Sequence, residues 1–381
     1  MVEFDKSIFG LIINPISGMG GSVGLKGTDG RKILMKAIEL GAIPTANNRT
    51  RTLLNELKSI KTNLKFVTCP GSMGENILNE MNFEYVCVKH PAFSRIKNIL
   101  DTTSRHTEIA AEIMKKSKKL KLIIFVGGDG TARDILKVVG NEKPCLGIPA
   151  GVKIFSSVFS INPKAASSII IQFLCGEIFL RESEVLDINE NEYRKGNLIS
   201  KLYGYLLIPY TPEFYQTSKI GSPTSDLDNQ ERIAKRIIEI LEKDIYYLLG
   251  PGTTVKAITD QLYQKKTLLG IDLLLNEKVI AQDLNEQQIL KILEERKVKI
   301  IISLIGQQGF LFGRGNLQIS PKVLKAISLK DLIIVATKFK LQSIANQILR
   351  IDTRDPELDE KMKGLYKIIV DYDELKICKL K

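Results

Sequence analysis

Short apolar blocks alternate with amphipathic stretches through the first 150 or so positions of the chain. Ser7 to Ile13 is an apolar run of the kind that fills a strand buried on both faces. Arg31 to Leu40 has helical spacing and is closed by Gly41, a residue suited to a helix end. Arg51 to Ile60 predicts another helix and Leu64 to Thr68 a strand. Pro70-Gly71-Ser72-Met73-Gly74 opens a further helix that runs to about Glu80. Then come a strand at Tyr85 to Val88, a helix at Ser104 to Lys116 and a strand at Leu122 to Val126. Thr131 to Val139 predicts a helix and Pro144 to Ile148 a short strand. This alternation predicts an α/β domain with a parallel sheet covered on both faces.

The pattern changes near Arg181. Apolar runs become short and are split by turn residues, as in Glu184 to Ile188, the polar Asn189 to Arg194, and Leu198 to Pro209. Asp187 and the Asn189 to Glu192 run suit a hairpin tip. Leu268 to Leu275 and Lys278 to Gln282 are separated by Asn276-Glu277, which suits a hairpin. Asp226 to Leu241 reads as one amphipathic helix. The expectation is a second, β-rich domain that is mostly antiparallel. Near the end the first rhythm returns, with a strand at Leu332 to Thr337, a helix at Lys340 to Leu349 and a strand at Tyr366 to Asp371. We therefore expect an α/β nucleotide-binding domain over 1–155, a β-rich substrate domain over 156–324, and a tail over 325–381 that packs back on the first domain.

Composition narrows the function classes. The chain has 381 residues, 44% of them hydrophobic, which is enough for two real cores. The start, MVEFDKSIFG, lacks the order of a signal peptide. No stretch approaches the roughly 20 apolar residues that span a bilayer, so a cytoplasmic protein with no membrane partner is expected. The net charge of +12 is spread along the chain. Its densest run, Lys115 to Lys121, suits a solvated helix end, and nucleic acid is not the expected partner. Anionic small molecules match such a charge equally well. Cys69, Cys87, Cys145, Cys175 and Cys378 lack metal-binding spacing and are expected to be free thiols. With only His90 and His106, a histidine-rich metal site or a Ser-His-Asp triad is not expected.

The candidate chemistry lies in glycine-rich turns after predicted strands. In Val126-Gly127-Gly128-Asp129-Gly130-Thr131 the three glycines permit a sharp strand-to-helix turn and close approach of a ligand. Asp129 is the one charged side chain there. It could cap the helix, hold Mg²⁺, or accept the proton of an attacking hydroxyl. Asn14-Pro15-Ile16-Ser17-Gly18-Met19-Gly20-Gly21 follows the first strand. It is not a Walker A loop, and Val23 occupies the third glycine position of a dinucleotide fingerprint. A glycine loop at that strand end is still where α/β sheets bind ligands. Gly151 and Lys153 close a third such loop, Leu146 to Lys153. The turn Leu249 to Thr254, with Thr253, and the stretch Gly306 to Asn316, with Arg314 as a possible phosphate clamp, are glycine-dense too.

Asn14-Pro15 with its glycine loop, Gly127 to Thr131, and the Gly147 to Lys153 loop appear in an order that resembles the ATP-NAD kinase superfamily, which also holds diacylglycerol and sphingosine kinases. Gly250 to Thr254 and Gly306 to Ser320 are similar to an archaeal and bacterial ATP-NAD kinase-like branch that includes an acetoin-catabolism accessory protein. The resemblance implies a two-domain kinase with the active site between the domains. It implies Mg²⁺-dependent transfer from ATP or polyphosphate to the 2′-hydroxyl of NAD, with Asp129 as the activating carboxylate. Gly127, Gly128, Gly130 and Thr131 would line phosphates, while Asn14, Gly18, Gly20 and Gly21 would approach the donor. A homo-oligomer is also expected. The alternatives are a kinase of another hydroxyl compound, lipid or small metabolite, and a nucleotide-binding regulatory protein without turnover.

Overall fold

The computed structural model describes residues 6–25, 31–151, 154–188, 200–211, 214, 224–305 and 309–381. The first part of the chain runs β1 (Ser7–Ile13), α1 (Arg31–Glu39), α2 (Ala46–Glu56), β2 (Leu64–Thr68), α3 (Glu75–Glu80), β3 (Tyr85–Cys87), α4 (Ser104–Lys116), β4 (Leu120–Gly127), α5 (Asp129–Val139), β5 (Cys145–Pro149) and α6 (Pro163–Cys175). The five strands form one sheet in the order β3-β2-β1-β4-β5. Every pairing in it is parallel. β1 is central, with Phe9 opposite Phe66 on one side and Leu122 on the other.

Near-complete burial explains why the central strands β1 and β4 read as apolar runs. Phe9, Leu11, Ile12 and Ile13 are wholly buried, as are Leu122 through Val126. Phe125 and Phe159 meet edge to face with centroids 5.3 Å apart. Gly147 leaves room for them, since a Cβ there would lie 2.6 Å from Phe159 Cδ1. Helix α2 begins before the predicted Arg51 and ends at Glu56, followed by a 3-10 segment at Lys58–Asn63.

β6 (Phe179–Ile188) and β7 (Ser200–Tyr210) form an antiparallel hairpin of their own. Val185, Leu206 and Ile208 of that hairpin join the core of the first domain, with Ala166, Ile169 and Ile170 of α6. The first domain thus extends well past the expected boundary at 155. The polar run Asn189 to Arg194 lies outside the described residues, while Asp187 sits within β6.

The second part runs α7 (Thr224–Glu239), β8 (Tyr246–Leu249), α8 (Thr253–Gln261), β9 (Asp272–Leu275), β10 (Lys278–Ala281), α9 (Glu286–Glu295), β11 (Val298–Ser303), β12 (Phe310–Phe312), α10 (Pro321–Ala326), β13 (Leu332–Val335), α11 (Lys338–Gln342), β14 (Arg350–Ile351), α12 (Pro356–Lys361), β15 (Gly364–Ile369) and β16 (Leu375–Leu380). A seven-stranded sheet has the order β10-β9-β8-β11-β13-β15-β16. Its middle strands, β8-β11-β13-β15, are parallel. The pairs β8-β9, β9-β10 and β15-β16 are antiparallel.

Two expectations are corrected here. The second domain is strand-rich but built on a parallel centre rather than mostly antiparallel. Its strands β8, β11 and β13 centre on buried apolar residues, with Ile233, Ile237, Val255 and Ile258 of α7 and α8 packed on one face. The tail strands β13, β15 and β16 belong to this second sheet, because Ile334 and Val335 find parallel partners in Ile368 and Ile369. The loop after β14 reaches back to the first domain, where Arg354 donates to Ala150 O at 3.3 Å. The predicted helix Lys340 to Leu349 is instead the short α11, followed by a 3-10 turn in which Asn346 has φ 55°. No helix among the described residues is long and apolar enough to cross a membrane.

Candidate active site

The carboxyl ends of β1, β4 and β5 bring the expected residues of the first domain together. Asn14 directly follows β1 and its Nδ2 donates to Thr131 Oγ1 at 3.0 Å. Asn14 Oδ1 accepts from Ile16 N at 3.3 Å and so shapes the start of the glycine loop. Gly127 O accepts from Ala150 N at 2.8 Å and Gly151 N at 3.1 Å, which ties the turn after β4 to the loop after β5. The turn has no room at Gly127, where a Cβ would lie 2.3 Å from Thr131 Oγ1. Gly128 faces Gly151 Cα at 3.4 Å and Ser17 Oγ at 3.8 Å from a would-be Cβ.

Gly18 is the position where glycine is indispensable. Its φ is +82°, and a Cβ would sit 1.9 Å from Ala150 O. Gly20 is buried and its carbonyl accepts from Leu25 N at 2.9 Å. Gly21 meets the second domain, since its Cβ position lies 2.3 Å from Leu317 Cδ1. A Cβ on Gly130 would meet nothing within 4 Å, which leaves the first turn of α5 open on that side. Gly128 is the N-cap of α5 and no side chain caps that helix. The positive end of the α5 dipole therefore faces this open side, as an anion site requires.

Asp129 is 6% exposed and is held from behind. Oδ2 accepts from Phe155 N at 2.7 Å and Oδ1 from Ser156 N at 3.0 Å. Burial pushes its carboxyl up to about 7, against the pull of the Ser156 and Phe155 hydrogen bonds and with a small push from Asp187. Asp187 in turn is paired with Arg133, one turn along α5, at 2.8 Å. A carboxylate has about four lone-pair positions, and two amides leave the others for a further donor. The group therefore ionises near neutral pH, which is where a general base is most effective.

The other expected residues fall elsewhere. Lys153 lies outside the described residues, as do Gly306 to Gln308. Arg314 is buried at the domain junction, where Nη2 donates to Ile161 O and the guanidinium stands 4.7 Å from the Phe310 ring centroid. Burial pulls it down to about 9, opposed by Asp352 and reinforced by Arg49, Arg354 and Arg350. Its Nη1 has no partner among the described residues. Thr253 opens α8, on the edge of the second sheet rather than in the first-domain turn.

Sequence reasoning missed a buried clasp behind the site. Arg49 of α2 donates Nε to Pro149 O at 2.8 Å and grips Asp352 with both terminal nitrogens, at 2.5 and 2.7 Å. Burial alone would raise Asp352, but the charge and hydrogen bonds of Arg49 win and hold it below the usual carboxylate range. Nothing local signals this pair, because the partners stand 303 positions apart. Phe155 and Ser156 were also missed, since they act through backbone N–H groups that any side chain would supply.

Residues 9–178 match the ATP-NAD kinase N-terminal domain, and residues 242–380 match the ATP-NAD kinase C-terminal domain. No curated protein matches the chain. The two matched segments end and begin on either side of the β6-β7 hairpin, in accord with a first core and a second core that are separate bodies of apolar side chains.

Proposed function

The chain belongs to the ATP-NAD kinase family, and on that premise we propose that it transfers the terminal phosphoryl group of ATP or polyphosphate to the 2′-hydroxyl of NAD. The observation that carries this reading is a buried carboxyl poised near 7 at an uncapped helix N-terminus. The acceptor hydroxyl oxygen attacks the terminal phosphorus, the bond from phosphorus to the leaving oxygen breaks, and the hydroxyl proton passes to Asp129. The Gly130 side of α5 takes the phosphate charge, and the Asn14–Thr131 bond fixes the wall beside it. Rate would come chiefly from positioning and charge stabilisation.

Among the described residues no group of three or more acidic, histidine or cysteine side chains is placed to hold a metal ion. Both Asp129 oxygens already accept amide hydrogens. With one carboxylate at the turn, Mg²⁺ would be held mainly by the phosphates of the donor.

The test is NADP formation by the purified full chain with NAD and either ATP or polyphosphate, with Asp129→Ala alongside. Turnover that falls at least a hundredfold in the variant is expected. Wild-type protein that binds NAD but makes no NADP with either donor refutes the reading. Label transfer from ATP to a different hydroxyl compound would keep the phosphotransferase and reject NAD as acceptor.

A further inference from the structure

The second domain carries a strand-to-helix glycine turn of its own. β8 ends at Leu249, Gly250-Pro251-Gly252 follows, and α8 starts at Thr253. Gly250 lies close to β11, with its N–H donating to Ile301 O at 2.8 Å. Gly252 caps α8 with φ 108° and no side chain caps the helix. A Cβ on Gly252 would meet nothing within 4 Å, so the space before the first turn is open.

A lysine points at this helix start. Lys340, on α11, donates Nζ to Thr254 Oγ1 at 2.9 Å and to Ser303 Oγ at 3.4 Å. Thr254 and Ser303 are both buried, Ser303 being the last residue of β11. Burial pulls Lys340 down to about 8, and Asp226 opposes that pull. No carboxylate of the described residues forms an ion pair with it. An ammonium beside a helix N-terminus is the wrong sign for the dipole, which prefers an anion there. Two positive features thus meet at the start of α8 with neutral hydroxyls between them.

A second group is unmatched at the same edge. Asp226, in the first turn of α7, is 2% exposed. Its Oδ2 accepts from Gln230 Nε2 at 2.9 Å, while Oδ1 has no partner among the described residues. Asn229, three positions on, fixes α7 across the strand ends by donating to Val370 O at 2.9 Å and accepting from Lys338 N at 2.9 Å. A buried carboxylate oxygen without a donor is costly unless a ligand brings one.

We infer that the carboxyl edge of the second sheet is a nucleotide-binding site in its own right. Lys340, the Ser303 and Thr254 hydroxyls and the first-turn N–H groups of α8 hold a phosphate, and Asp226 accepts a hydroxyl of the same ligand. Carboxyl edges of parallel sheets are the usual place for such ligands. The inference does not depend on which acceptor the Asp129 turn serves.

The test uses the full chain and three probes: ATP, NAD and inorganic phosphate. Amide hydrogen exchange over residues 252–256 is followed with each probe, together with calorimetric affinity. Slower exchange in that segment with ATP or NAD is expected. It should be abolished in Lys340→Met, with affinity at this site down at least tenfold. Asp226→Asn should weaken the nucleotide severalfold and leave inorganic phosphate unchanged. Should Lys340→Met fail to fold, Ser303→Ala carries the same readout with a smaller loss. Unchanged exchange over 252–256 with all three probes overturns the inference. So does wild-type affinity in both the lysine and the serine variant.

Discussion

Replacing Asp129 by Asn isolates the cost of keeping that carboxyl in the interior. In the folded chain it titrates near 7, against the usual aspartate value of 3.8 when unfolded. A gap of about 3 units at about 1.4 kcal/mol each amounts to roughly 4 kcal/mol. Because the folded value is the higher one, the native state binds the extra proton. The stabilisation is complete below about pH 4 and is lost as pH rises through about 7. Between pH 5 and pH 8 this one group should remove roughly 2–3 kcal/mol of stability from the wild type. Asn has the same shape and no titration, so that slope should vanish in the variant. Urea unfolding monitored by circular dichroism at both pH values gives the two slopes, and their difference cancels the other titrating groups. The transition to follow is that of the first domain, since two domains need not unfold as one. Equal pH dependence in wild type and Asp129→Asn would refute the assignment of a raised carboxyl. Activity should run the opposite way, rising with pH through about 7 as the base ionises.

Gly18→Ala should cost on the order of 3 kcal/mol or more, because both the positive φ and the Ala150 carbonyl stand against a methyl; a melting temperature within a degree of wild type would count against it. Asp352→Asn leaves Arg49 buried without its acid and should cost about 3–5 kcal/mol, with little relief or worsening from added salt. A loss under about 1 kcal/mol, or strong salt dependence, would mean that the pair is not enclosed. Gly21→Ala forces its methyl against Leu317 and should cost about 1–3 kcal/mol. Adding Leu317→Ala should recover part of that loss, and a purely additive double mutant would deny the contact between domains.

The first sheet was legible because each of its strands is a single apolar block and each crossover helix has its own amphipathic spacing. Its candidate site was legible for the same reason, as Asn14, Gly18, Gly127, Gly128, Asp129 and Thr131 all sit at the ends of those blocks. The parallel centre of the second domain was not. Tyr246–Leu249 and Leu332–Val335 are only four residues long, and so short a run does not distinguish parallel from antiparallel pairing. Helices α8 and α9 between those strands were the missed signal, since Asn285 with Gln288 forms a capping box before an amphipathic run. The clasp of Arg49 on Asp352 and the amide support of Asp129 depend on long-range placement and carry no sequence mark. Lys340 is similar. On the sequence it is one lysine among many, and only the fold brings it to Thr254 and Ser303.

The grip of Arg49 on Asp352 has a consequence for how the two domains share their time between arrangements. Swinging the second domain away from α2 would break a buried bidentate pair. Arg354 on Ala150 and Arg314 on Ile161 add further anchors across the same junction. Any rotation of one domain against the other therefore has to break these three anchors together, which couples the loop after β14 to the frame behind the first-domain turns.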